Sequence, residues 1–252
     1  MSKIALITGA TAGIGKFTAI KFAQNGYKLI ITGRRQELLS ELANFLKQEF
    51  KTEVLTLCFD VRDNEQVTKA INNIDAEWKK IDVLVNNAGL ALGLGEIHEG
   101  NIDDWDTMID TNVKGVLYTT RAVAPLLIKQ AKGHIINISS IAAKGVYKNG
   151  NVYCATKHAL DALTAAMRID MLEHGIKVTS INPGPAETEF SIVRFKGDKE
   201  KAKDVYNGYK PLSGEDVAEC IFFAASQPEH VNINEIIVMP KAMANMVYSH
   251  KV

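Results

Sequence analysis

Short apolar runs alternate along this chain with longer stretches in which apolar residues recur every three or four positions. The runs Lys3–Gly9, Tyr27–Thr32, Glu53–Phe59, Ile81–Val85, His134–Ile138, Lys177–Ile181 and Glu235–Met239 read as strands. Several are almost wholly apolar, as strands buried on both faces are. Helical spacing covers Ile14–Ala23, Asn64–Trp78, Asp104–Ala131, Val152–His174 and Ser213–Ala225. Asn25-Gly26 stops the first of these helices, and Pro125 is expected to kink the third. Strand and helix in regular alternation predict an α/β fold, a doubly wound parallel seven-stranded sheet with helices on both faces. The chain has neither repeats nor a linker-like tract, so residues 1–252 read as one domain.

Polar clusters follow the carboxyl ends of the predicted strands, where ligands of such sheets bind. They are Asp60-Val61 after strand three, Asn86–Gly89 after strand four, Ser139-Ser140 after strand five and Asn182–Gly184 after strand six. One such cluster makes a turn; four along one rim describe a site.

The first strand–helix junction carries Thr8-Gly-Ala-Thr-Ala-Gly-Ile-Gly15, with Gly9, Gly13 and Gly15 at the turn and helix start. Glycine there lets backbone amides approach a pyrophosphate, which the helix dipole also favours. A phosphate loop of the Gly-x4-Gly-Lys-Ser/Thr kind fails, because position 10 is Ala10 and position 17 is Phe17. A glycine-bearing turn without a ligand is the bland alternative. After strand two comes Gly33-Arg34-Arg35, with no acid until Glu37. A carboxylate at this place reads the ribose 2′-hydroxyl of NAD, whereas arginine suits the 2′-phosphate of NADP. Arg34 and Arg35 therefore point to NADP, against the alternative of two solvated arginines opening a helix.

Tyr153 and Lys157 are four residues apart on a predicted helix and so share a face. A nearby cation favours a phenolate, and free tyrosine ionises near ~10 with ~1.36 kcal/mol per pKa unit. Lys157 is thus expected to lower the Tyr153 pKa and make the phenol a proton carrier. Alone such a pair is commonly solvated surface, but Ser140 and Asn112 add partners at the same rim.

Composition removes other classes. Lys plus Arg and Asp plus Glu each total 29, and no field favours nucleic acid or an anionic membrane. Cys58, Cys154 and Cys220 are scattered, as reduced thiols of a cytoplasmic protein are. No apolar run is long enough to span a bilayer, and a strand beginning at Lys3 leaves no room for a signal peptide. The six histidines form no ligand cluster, so no metal site is predicted.

Taken in order, Thr8–Gly15, Asn86–Gly89, Asn112, Ser140, Tyr153-x3-Lys157 and Pro183-Gly184 resemble the short-chain dehydrogenase/reductase family over essentially the whole chain. The resemblance implies a Rossmann-type fold and a set of roles. Tyr153 exchanges a proton with the substrate oxygen, Lys157 also holds the nicotinamide ribose, Ser140 steadies the developing alkoxide, and Asn112 supports a water chain. Gly9, Thr11, Gly13, Ile14 and Gly15 cradle the pyrophosphate, while Asp60 and Val61 meet the adenine. Asn87, Ala88 and Gly89 back the cofactor, and Pro183, Gly184 and Thr188 lie at the nicotinamide.

Within the family the chain is similar to NADP-dependent 3-hydroxy acid dehydrogenases, in Thr32–Glu37, Asn87–Gly93, Asp104–Asn112, Val193–Asp198 and His230–Asn234. This implies hydride transfer between NADP and a small 3-hydroxy acid such as serine, allo-threonine or 3-hydroxyisobutyrate, in a homotetramer. The segment 182–188 departs from the expected start of the substrate loop, about 185–212. Arg194 within that loop is a candidate anchor for a carboxylate. A reductase of neutral ketones or 3-ketoacyl groups is the alternative, and a non-enzymatic dinucleotide sensor a more distant one.

Overall fold

A computed structural model describes residues 2–250. In chain order the elements are β1 (Ile4–Ile7), α1 (Gly13–Gln24), β2 (Lys28–Gly33), α2 (Gln36–Phe50), β3 (Val54–Cys58), α3 (Asn64–Asn72), β4 (Ile81–Asn86), α4 (Ile102–Ile109), α5 (Gly115–Gln130), β5 (Gly133–Ile138), α6 (Asn151–Asp170) and β6 (Ile176–Pro183). There follow β7 (Ala186–Glu187), α7 (Glu189–Arg194), α8 (Lys199–Asp204), β8 (Leu212–Ser213), α9 (Gly214–Ala225) and β9 (Glu235–Val238).

Seven strands form one sheet in the order β3-β2-β1-β4-β5-β6-β9, and every pairing is parallel. The order reverses direction between β1 and β4, which is where an open α/β sheet splays to admit a ligand. Alternate residues of each strand feed opposite faces. Ala5 and Ile7 join Phe22, Leu39, Leu46 and Ile221 under α1, α2 and α9, while Ile4 and Leu6 join Ile71, Val123, Leu127 and Leu160 under α3, α5 and α6. Phe22 is fully buried and meets Tyr27 and Phe222 edge-on at 4.9 and 5.3 Å between centroids. Burying such a ring contributes about 1.5–3 kcal/mol. It ties α1 to α9.

All seven predicted strands are present, and the differences lie in the helices. The predicted helix 104–131 is broken, but not at Pro125. A π turn over Asp110–Lys114 separates α4 from α5, and α5 runs straight through Pro125. Pro125 and Arg121, whose carbonyl loses its amide partner there, both face solvent, so the carbonyl is left open to water and not buried unpaired. The predicted helix 64–78 is α3 followed by a 3-10 turn at Ala76–Lys79, and 152–174 is α6 followed by one at Leu172–His174. Segment 185–212 is not an open loop: β7 pairs with β8, and α7 and α8 pack between them.

Candidate active site

A cavity of about 600 Å³ opens along the carboxyl rim of the sheet. Its floor begins at the β1–α1 turn. Gly9 and Gly13 have φ of +65° and +50°, which L side chains rarely adopt. A Cβ on Gly9 would stand 2.9 Å from Ala88 Cα, and one on Gly13 3.1 Å from Thr188 Cβ. Thr8 stitches this turn to β4, since its Oγ1 accepts from the amides of both Asn87 and Ala88 at 3.0 Å. The Asn87 amide group donates back to the carbonyls of Thr8 and Gly9.

Thr11, Ile14, Arg34, Arg35, Asp60, Val61, Asn87, Ala88, Gly89, Pro183, Gly184 and Thr188 all line the cavity with Gly9 and Gly13. Gly15 does not. A Cβ on Gly15 would lie 2.4 Å from both the Gly9 carbonyl oxygen and Asn87 Nδ2, so it permits the close packing of turn on helix instead.

At the outer end Arg35 donates to Thr11 Oγ1 at 3.0 Å and pairs with Glu189 at 3.1 Å, while Arg34 lies 3.7 Å from Asp60. Burial works against the Asp60 charge, yet the hydrogen bonds and charge of Arg62 outweigh it and hold the carboxyl below its usual range. Arg62, bidentate to Asp60, escaped the sequence reading because it matches no motif.

At the inner end Ser140, Tyr153 and Lys157 meet. Ser140 closes β5 and accepts from the Ala142 amide at 3.1 Å, and its hydroxyl is hydrogen-bonded to the Tyr153 phenol. Lys157 is buried; its Nζ donates to the Ile138 carbonyl at 3.0 Å and lies 5.9 Å from the Tyr153 ring centroid. Asn112 does not line the cavity. Seated in the π turn, its Oδ1 accepts from Leu90 N, and its Nδ2 donates to Leu90 O and Thr156 Oγ1. It clamps the strand-four loop to α6, and that clamp gives the break in the helix its purpose.

One electrostatic expectation is corrected. Within the protein Tyr153 lies above the ordinary phenol value, because burial outweighs all else; the charge that opposes this is Arg194, aided by Ser140. Burial brings Lys157 itself down to about 8. The charge that opposes the rise is that of Arg194, at the end of α7.

Arg194, at the end of α7, reaches back into the cavity. Its guanidinium carbon lies 5.0, 5.1 and 5.8 Å from the ring centroids of Tyr153, Phe190 and Tyr147. Tyr147, Phe190, Met243 and Met246 line the cavity and were missed. Tyr147 sits in the motif-free stretch between Ser140 and Tyr153, and the methionines lie beyond the last strand, where periodicity carries no signal.

The short chain dehydrogenase family model matches residues 3–199, carrying every element named so far from the glycine turn to α7. The chain belongs to this family. It is 48% identical over 238 residues to an NADP-dependent 3-hydroxy acid dehydrogenase of Salmonella typhi, with 94% of each chain covered. It is 45% identical over 240 residues to a serine 3-dehydrogenase of Agrobacterium fabrum, covering 95% of this chain and 94% of that one. Among solved structures it is similar to the closed form of a serine dehydrogenase complexed with NADP+, with a TM-score of 0.92, 44% identity, and 99% and 100% of the two chains covered. Membership of the family makes the protein an oxidoreductase acting on CH–OH groups.

The cavity suits a dinucleotide on its own evidence. Gly9 and Gly13, which line it, put no side chain into the cradle, and Thr111 and Ser139 present buried hydroxyl oxygens without protein partners at its wall. Among the described residues no cluster of His, Cys, Asp and Glu is arranged to hold a metal.

Proposed function

We propose that this protein is an NADP-dependent dehydrogenase of small 3-hydroxy acids, serine, allo-threonine or 3-hydroxyisobutyrate among them. The observation that carries this reading is the meeting of Ser140, Tyr153 and a guanidinium in one cavity with the glycine cradle. The named relatives support both cofactor and substrate class.

NADP, when bound, supplies the nicotinamide ring that exchanges a hydride with the carbinol carbon. The protein does the rest. Gly9, Thr11, Gly13 and Ile14 hold the pyrophosphate, Arg34 and Arg35 the 2′-phosphate, and Asp60 and Val61 the adenine side. Asn87, Ala88, Gly89, Pro183, Gly184 and Thr188 hold the nicotinamide half, with Lys157 at its ribose. Ser140 donates to the substrate oxygen as negative charge develops there. Tyr153 takes the hydroxyl proton in oxidation and returns it in reduction. The Arg194 charge beside the ring favours the phenolate that this exchange passes through. Asn112 keeps Leu90 and Thr156 in register with the reacting group. Oxidation leaves a 3-keto acid, which loses carbon dioxide without further help in the case of serine.

The catalytic unit is the single domain 1–252, with 185–212 as its substrate segment. Exposed Ile102, Ile109, Leu117, Ile169 and Leu172 on α4, α5, the end of α6 and the turn after it fit a homotetramer. Unpaired Cys58, Cys154 and Cys220 fit the reducing cytoplasm. Among the described residues no helix is long and apolar enough to cross a membrane.

The test is a substrate panel with NADP, read by NADPH absorbance. We expect 3-hydroxy acids to lead neutral ketones and alcohols, and Tyr153→Phe to lower kcat by about 10²–10⁴. Neutral ketones leading the panel, or an active Tyr153→Phe enzyme, would overturn the reading.

A further inference from the structure

Arg194 is an unusual cation. Its Nη2 donates to Tyr147 Oη at 2.7 Å, yet its buried Nε has no partner. Its position is fixed from behind, since its carbonyl accepts from Gly93 N at 2.9 Å. The two acidic side chains that line the same cavity are spoken for elsewhere, Asp60 by Arg62 and Glu189 by Arg35. A guanidinium packed among three rings with a dry N–H edge is costly unless an anion completes it.

Tyr147 is equally constrained. Its ring lies against Gly150, where an added Cβ would meet Cε2 at 2.3 Å. Its oxygen accepts from Arg194 and so leaves its own O–H free to donate. Burial, ahead of every other influence, pushes this phenol up to about 12, which keeps the proton in place at neutral pH.

We propose that Tyr147 and Arg194 together form the carboxylate subsite, Arg194 Nε–H serving one carboxylate oxygen and Tyr147 O–H the other. The inference rests on the 3-hydroxy acid reading above and adds to it the residue that reads the acid. A carboxylate seated there lies beside the Tyr153 ring, so the single carbon between it and the carbinol brings the hydroxyl to Tyr153 and Ser140. Phe190, Met243 and Met246 leave the rest of the pocket apolar, which suits a short acid with a small substituent.

The experiment compares 3-hydroxyisobutyrate with its methyl ester, which keeps the hydroxyl and loses the charge. The readout is the ratio of kcat/KM for acid to that for ester. A wild-type enzyme without acid preference would sink the 3-hydroxy acid reading itself, and this inference with it. Given that preference, Arg194→Met is expected to lower the ratio about 100-fold or more, and Tyr147→Phe about 10-fold, chiefly through KM of the acid. Arg194→Lys, which keeps the charge and loses the fork, should fall between and serves if the methionine variant does not fold. NADPH fluorescence titration verifies folded protein in each case. Acid and ester falling in step, with a ratio unmoved within about 3-fold, would show that these side chains act only through packing or through Tyr153, and the inference would fail.

Discussion

Replacing Lys157 by methionine should stabilise the protein while removing its activity. Burial lowers the lysine from 10.5 to about 8, and each pKa unit is worth ~1.36 kcal/mol. Holding this ammonium in the folded chain at pH 7 therefore costs about 3 kcal/mol relative to the unfolded chain. Methionine keeps most of the length and apolar bulk, but forfeits the bond to the Ile138 carbonyl, about 1 kcal/mol. A net gain of about 2 kcal/mol remains, or roughly 4 °C in Tm for 252 residues. The pH dependence fixes the cause. Below pH 8 both states hold the proton and the folded chain bears the whole cost. Between pH 8 and 10.5 the folded chain has released its proton while the unfolded chain keeps it, so wild-type stability rises with pH. Urea unfolding of the two proteins from pH 7 to 10 should show the variant's advantage closing by about pH 10. A variant less stable at pH 7, with a gap that does not change with pH, would refute the reasoning.

Three further outcomes are expected. Arg34→Ala with Arg35→Ala should raise KM for NADP about 100-fold and that for NAD by no more than about 3-fold; equal effects would mean that these arginines do not read the 2′-phosphate. Gly15→Ala must push apart the Gly9 carbonyl and Asn87, costing about 1–3 kcal/mol in thermal melts and at least 10-fold in NADPH affinity, whereas Gly95→Ala, with nothing within 4 Å, should change little. His134 is buried neutral, held at about 3 by desolvation and then by the Lys177 charge. Its contribution is complete above pH 6.5 and is lost as pH falls toward 3, by up to about 5 kcal/mol, and His134→Leu should flatten that part of a urea midpoint-versus-pH curve.

The strand pattern was legible because each strand of a parallel sheet is buried twice and so is written in Val, Ile and Leu. The glycine turn and the Tyr153-x3-Lys157 pair were legible because steric and helical spacing rules act within a few residues. The π turn at Asn112 was not, since its cause is a set of hydrogen bonds to Leu90 and Thr156, 22 and 44 residues away. The Arg194 charge beside the phenol was hidden for the same reason. Neighbours along a helix are visible in a sequence, whereas Arg194 reaches Tyr153 only through the fold of segment 185–212. Tyr147 and the Met243–Met246 wall likewise acquire meaning from what surrounds them.

The seam between α1 and α9 has a consequence for how such a molecule comes into being. The helix that opens the phosphate cradle leans on one made some two hundred residues later, with Gly214 pressed against the Gly13 carbonyl and Phe222 against Phe22. A nascent chain emerging from the ribosome thus carries its nucleotide fingerprint early but lacks the buttress that shapes it until α9 has been released. Severing the chain before Ser213 would leave residues 1–212 unable to serve as a detachable cofactor module.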